Sequence, residues 1–363
     1  MADAPPSLDT PASFDTPVVQ RPMPLPTARG PVSAALLSAL ADGGGADVFA
    51  AEAVRALPAT EDLLTDDDLQ LSLFCLYELH YGGIDGVDES LEWDPALLGA
   101  RNEIEAAFES ALRGAVHQPE RPEPTRSAVA QRLFELTAED QGPSLSRFFA
   151  KQATLEQLHE FLVQRSIYTL KEADPHSWAI PRLTGRAKAA LVEIQNDEYG
   201  EGRPGRMHSA IFAGTMRAAG LDASYGRYVD LVPAVTLTSL NTMSFFGLHR
   251  RLRGAVVGHL AAFEMTSSIP NRLYGNGFRR LGFDREATWY FDEHVEADAV
   301  HEQVAAHDLA GGLVEASPEL LDDVLFGAAA CLSVDGAMAR HMFDAWTAGR
   351  SSLRQPLPEP QPA

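Results

Sequence analysis

The chain has 363 residues, 45% of them apolar and 22% charged, the make-up of an ordinary globular protein with room for two domains and a large core. Its formal net charge of −22 argues against nucleic acid and anionic membrane as partners, because both repel a strongly acidic surface. Cys75 and Cys331 are the only cysteines, too few for a disulfide framework or a Cys-rich zinc site, and they suit a reducing, cytoplasmic setting.

Residues 1–31 carry eight prolines and little periodicity, so this segment is expected to be largely disordered. Its start, Met-Ala-Asp-Ala-Pro-Pro, lacks the basic and apolar regions of a signal peptide. A small helical unit is expected over 32–115. Thr65, followed by Asp66, Asp67 and Asp68, reads as the cap of a helix whose apolar face carries Leu69, Leu73 and Leu76. Asp94-Pro95 opens another helix, with Leu97, Ile104 and Phe108 on one face and Leu112 beside them. Glu78 and His80 are two apart, point to different sides of a helix, and read as structural.

Val116 to Arg126, with Gln-Pro-Glu-Arg-Pro-Glu-Pro, reads as a linker, since each proline denies a helix its hydrogen bond. From 127 to 350 helical periods recur and strand signals are scarce. A helix is expected through 154–173, with Glu172 on the side of Leu158 and Phe161. Glu156 and His159 on it form a Glu-x-x-His pair of the kind used in ferritin-like bundles. Glu198 follows Leu191 and Ile194 on an apolar face, and the Gly200, Gly202, Pro204, Gly205 run should then break the helix. His208 shares a face with Ile211, Phe212 and Thr215. His249, Arg250, Arg251 and Arg253 read as ion-pair partners, or else as an anchor for a substrate carboxylate. Glu264 lies one and two turns beyond Ala261, Leu260 and Val257, so it too projects from an apolar side. Gly275-Asn276-Gly277 is a turn signal.

The most informative segment runs from Tyr290 to His301. At about 100° per residue, His294, Asp298 and His301 fall within roughly 60° on one helix face. The face continues into Tyr290, Phe291 and Val304, so it should point into the core; Glu293, Glu296 and Glu302 would keep the opposite face soluble. Asp284 and Glu286 offer a helix start and Gly311-Gly312 a stop. Two imidazoles and a carboxylate converging in this way could bind Fe, Mn or Zn. An isolated buried acid usually protonates, so acids on apolar faces tend to be paired or to bind metal. The longest mostly apolar run, Val324 to Val334, is far short of a membrane span, and the end, from 351 to 363, reads as a disordered Pro-rich tail.

The order Glu172, Glu198 with His208, Glu264, then His294, Asp298 and His301 resembles the haem-oxygenase-like di-iron oxidases, also described as iron-containing redox enzymes, over roughly 130–350. The resemblance implies an all-α protein: a haem-oxygenase-like bundle with a smaller N-terminal helical unit that serves as a dimerisation segment in some members. It implies seven metal ligands (Glu172, Glu198, His208, Glu264, His294, Asp298 and His301), two Fe(II) per chain, and O2 as co-substrate. The expected activity is oxygenase or oxidase chemistry on a small amino-acid-derived molecule in specialised metabolism, with N-oxygenation favoured, by a cytoplasmic homodimer. The alternatives are oxidative C–C cleavage or decarboxylation of a small acid by the same site, or a haem- or cofactor-binding protein on the same fold.

Overall fold

The computed structural model describes residues 22–139 and 144–357, apart from the side chains of 296–299. The expected disordered stretch 1–21, the end of the tail at 358–363, and the Asp298 side chain therefore lie outside the described residues. Four helices make the first unit: α1 (Pro31–Asp42), α2 (Ala46–Ala56), α3 (Asp67–Glu78) and α4 (Pro95–Ala115). The body begins with α5 (Arg126–Ala138), α6 (Leu145–Gln152), α7 (Leu155–Thr169) and the short α8 (Asp174–Ser177). It continues with α9 (Gly185–Glu198), α10 (His208–Ala218), α11 (Ala234–Leu248), α12 (Arg253–Met265), α13 (Ser268–Arg280) and α14 (Arg285–Gln303). A π-helical segment, Val304–Gly311, leads straight into α15 (Gly312–Ala316), and α16 (Leu321–Thr347) closes the fold. Among the described residues there is no strand, only an isolated bridge between Met23 and Ile84. The architecture is all-α, as the periodicity required.

Asp94 caps α4 by accepting from the N–H groups of Ala96 and Leu97, with Pro95 at the first helical position, as expected. For α3 the cap moves one residue, to Asp66, because Thr65 ends a 3-10 turn and its hydroxyl donates to Asp62 instead. Asp284 caps α14 through the Ala287 N–H.

Several expectations are corrected by packing. Gly275 and Gly277 do not form a turn: both lie inside α13, where a side chain at Gly277 would strike Phe149. Gly311 and Gly312 do not stop a helix either. Helical backbone runs through them to Ala316, and Gly311 is small because the Arg126 carbonyl of α5 crosses against it. Residues 22–30 are ordered: Met23 is fully buried, donates its N–H to the Gly83 carbonyl and accepts from the Asp85 N–H. Residues 351–357 are ordered too, with Ser352 held by Glu160 and Gln164 of α7 and Arg354 paired with Asp67 of α3.

The 117–125 stretch is free of helix, as the prolines dictate, yet packing is continuous across it. Buried apolar residues of 32–115 and of the body form one core. Gln70 of α3 accepts at 2.8 Å from Asn241 of α11, and Leu64 accepts at 2.6 Å from Thr238. Deepest of these links is an ion pair between Glu78 of α3 and Lys171, each side chain 1% exposed, with the Tyr225 hydroxyl donating to Glu78 at 2.8 Å. The basic run closes the seam from outside, where His249 meets Glu105 at 2.9 Å and Arg251 meets Glu109 at 2.6 Å. His249 and Arg251 thus serve as ion-pair partners, not as a substrate anchor.

In the body, α12 and α16 cross with their backbones almost touching. Gly258 faces the Val324 carbonyl and Gly327 faces the Ala255 carbonyl, so neither position has room for a Cβ. Among the described residues no helix is long and apolar enough to cross a membrane.

Candidate metal centre

Five segments bring their polar side chains to one buried place. The helix expected through 173 ends at Thr169, and Glu172 sits in the turn that follows. Ala173, at φ 77°, reverses the chain there before Asp174-Pro175. Glu198 is the last residue of α9, where Gly200 takes φ 66° and the glycine-rich break begins. The break delivers His208 to the first turn of α10, and a side chain at Gly200 would collide with the Arg206–Met207 backbone. Glu264 occupies the last turn of α12, and His294 and His301 project from α14. All six are buried.

The donor atoms fall into two groups with one member in common. Glu172, Glu198, His208 and His294 have ligand atoms within 4.8 Å of one another, and so do Glu198, Glu264 and His301. His208 Nδ1 is 2.9 Å from Glu198, His294 Nε2 is 3.7 Å from Glu172, and His301 Nδ1 is 3.6 Å from Glu264. No Lys or Arg among the described residues is in ion-pair range of Glu172 or Glu198. The charged groups in contact with them are imidazoles, and Arg165 stands farther off, beyond ion-pair range of Glu172. Burial tends to raise the Glu198 pKa, but His208, with His294 and His301 behind it, brings it down to about 2. Burial tends to lower the His301 pKa, but Glu264 and Asp197 outweigh it and bring it up to about 9. Burial opposes charge on His208 too, yet Glu198 raises its pKa. Protons on imidazole thus supply the positive charge that three clustered carboxylates need.

Supporting bonds fix which nitrogen faces the cluster. His294 Nδ1 lies 2.8 Å from the Tyr290 carbonyl one turn earlier, which leaves the Nε2 lone pair for the centre. His301 Nε2 lies 2.8 Å from Asp197, which leaves Nδ1 inward. The Tyr290 hydroxyl donates to both oxygens of Glu172, at 2.8 and 2.9 Å, with Phe212 edge-on behind its ring. Asp197 and Tyr290 were not singled out as partners by sequence reasoning. Tyr290 carried a signal, lying one turn before His294 on the same face; Asp197 carried none beyond standing next to Glu198.

The donor set fits iron. His208 Nδ1 and His301 Nδ1 are buried outside hydrogen-bond geometry although each faces a carboxylate. Oxygen and imidazole donors are aimed at a shared space, with Glu198 common to both groups, and such a mixture suits iron. The ferritin-like pair does not join: Glu156 is exposed on the first turn of α7 and His159 only half-buried. A small cavity opens beside the cluster, lined by Glu172, Glu198, Glu264 and His294 and closed by Tyr168, Phe263 and His176. His176 Nε2 lies 3.1 Å from His259 Nδ1, and both rings are buried. Sequence reasoning missed this pair as well.

An all-helical body with a buried cluster of acids and imidazoles is an arrangement that can hold iron. The profile of the iron-containing redox enzyme family matches residues 159–336 of the chain. It is 29% identical over 156 residues to the nitrosourea synthase of Streptomyces achromogenes subsp. streptozoticus. That match covers 43% of this chain and 33% of the synthase, so the chain spans about a third of the length of this relative. Two crystal structures of a CADD-like protein of unknown function from Nostoc punctiforme PCC 73102 are also similar, each at 18% identity, with TM-scores of 0.49 and 0.47. They cover 60% and 62% of this chain, and 97% and 96% of their own.

Proposed function

We propose that the protein binds two Fe(II) per chain and uses O2 to oxygenate a nitrogen of a small amino-acid-derived substrate. The observation that carries the di-iron reading is the place of Glu198, common to both donor groups. Glu172, His208 and His294 would complete one site, and Glu264 and His301 the other, with Asp298 added from the same face of α14. Iron held there would supply the electrons for O2. The rest falls to the chain. Tyr290 holds Glu172, Asp197 and the Tyr290 carbonyl set the orientation of His301 and His294, and Tyr168 and Phe263 keep water from the cavity. N-oxygenation is preferred over C–C cleavage because the relative with the extended match is named for a nitrogen–nitrogen product. A haem reading has less support, since a porphyrin asks for an axial histidine and an apolar slot, not three buried carboxylates.

The test is metal content and O2 uptake after anaerobic Fe(II) loading. About two irons per chain are expected, with both lost in Glu198→Ala and occupancy lowered in His294→Ala and Asp298→Ala while the fold persists. Stoichiometric iron in the last two variants would sink the assignment. Incubation of the loaded enzyme with amino acids and guanidines under O2 should yield a product heavier by oxygen on nitrogen. A decarboxylated or cleaved product would replace N-oxygenation with the runner-up reaction.

A further inference from the structure

A second cavity adjoins the first, sharing Tyr168 and Phe263 as the wall between them. One side of it is polar, made by Gln164, Arg165, Thr236, Ser239 and Asp335, and the other carries Met243 and Met338. Most of that polar side is already committed. Thr236 donates to Gln164 at 2.5 Å, and Ser239 donates to one oxygen of Asp335 at 2.5 Å. Arg165 is the exception: among the described residues it has no hydrogen bond and no ion pair. It is deep enough for burial to oppose its charge, although Tyr290, Tyr274, Asp335 and Glu172 nearby outweigh that and raise its pKa. Arg165 is half-buried, so its guanidinium faces the cavity with its donors open to water or to a ligand and not to a protein acceptor. Asp335 is the nearby opposite charge lining the same cavity, yet it does not reach Arg165.

We propose that this cavity is the substrate head-group subsite, in which Arg165 takes the carboxylate and Asp335 the ammonium of an α-amino acid. The proposal rests on the oxygenase reading of the neighbouring cluster and names the substrate class for it. A cation and an anion lining one cavity without bonding each other are complemented by a zwitterion of opposite sense. Arg supplies a planar fork of donors that matches a carboxylate, and Lys would not. Burial holds the Asp335 carboxyl above its usual range despite Ser239 and Arg165, and an ammonium beside it would bring it back. The cavity as it stands has room for a water or two. Met243 and Met338, unbranched and adaptable, are the side chains that would move to admit an aliphatic stem. The stem would then pass Tyr168 and Phe263 towards the metal cluster.

The test uses the full chain, as isolated and Fe(II)-loaded, with glycine, L-norvaline and L-arginine as probes and butyrate and propylamine as single-charge controls. Arg165→Met should leave the melting temperature of the ligand-free protein unchanged or raise it, because it removes a half-buried charge that no group among the described residues pairs. It should also lower affinity for the amino acids by about tenfold or more, the value of a charge-assisted hydrogen bond. Asp335→Asn should weaken the amino acids and leave butyrate binding unchanged. If Arg165→Met instead lowers the melting temperature, Arg165 and Asp335 form a structural ion pair and the subsite is overturned. It is overturned equally if none of the three amino acids binds, or if all bind both proteins alike. None of these readouts requires iron, so a chain that binds amino acids but no metal would refute the oxygenase reading alone.

Discussion

Two of the three cluster histidines have their inward nitrogen chosen by a neighbour, and the neighbours are ordinary: a backbone carbonyl for His294, a half-exposed aspartate for His301. The motif on α14 was legible because a helix has a fixed period. The supporting partners were not, because contact between residues 197 and 301 depends on how two helices pack. The pair His176 and His259 shows the same limit, and it makes a prediction of its own. Burial pulls the His176 pKa down to about 4 and the His259 pKa well below its usual value. In the unfolded chain both return to about 6.5. Below that pH the unfolded state takes up protons that the folded state refuses, so stability falls as pH drops from about 6.5 towards 4, by on the order of 3 kcal/mol for His176. Melting curves of wild type and His176→Asn/His259→Asn over this range should diverge, with the variant less sensitive to acid. Parallel curves would show that the pair does not stay neutral.

Helices α12 and α16 are locked by glycines that leave no space between their backbones. Gly258 matters to the centre because α12 carries Glu264 six residues on. Gly258→Ala must push α16 away or bend α12, at a cost of about 1–3 kcal/mol for an overpacked core. Iron affinity should fall along with stability, since Glu264 cannot keep its place if α12 shifts. The check is chemical denaturation paired with an Fe(II) titration; lost stability with unchanged affinity would separate the crossing from the site. Sequence pattern misjudged these glycines in a consistent way. Gly275, Gly277, Gly311 and Gly312 were read as turn or stop because glycine frees the backbone, but all four lie in helical backbone, and Gly277 and Gly311 are small for the sake of a neighbouring element. Only knowledge of that neighbour could have told the two uses apart.

Across the whole molecule, the all-α class and the helical period of nearly every segment could be read from one chain, since local periodicity specifies them; of the cluster, Glu172 was named on a helix that ends three residues short of it. What could not be read is how the first unit sits on the body. The prolines of 116–126 suggested a divided chain, whereas the core runs through, and the Glu78–Lys171 pair joins α3 to the residue preceding Glu172. That pair makes the first unit part of the frame around the centre. Glu78→Gln should lower stability by about 3–5 kcal/mol, because it strands a buried ammonium. Glu78→Leu with Lys171→Met should recover most of the loss, as replacement of a buried pair by apolar groups usually does. Denaturant unfolding of the three proteins decides it; a Glu78→Gln variant as stable as wild type would mean that the pair contributes little. The dimer implied by the family resemblance is best sought in the full chain, by sedimentation, because removing 32–115 would open the shared core.

The π-helical turn at Val304–Gly311 follows the ligand-bearing face directly, and it changes how length should be compared among relatives. A π turn holds one residue more than an α turn over the same rise. A homologue one residue shorter between His301 and Pro318 would therefore have lost no part of the centre. Its helix would simply run on as α, with everything beyond kept in phase. Insertions and deletions in this stretch count turns of helix, whereas inside 294–301 the same single residue would scatter the ligands.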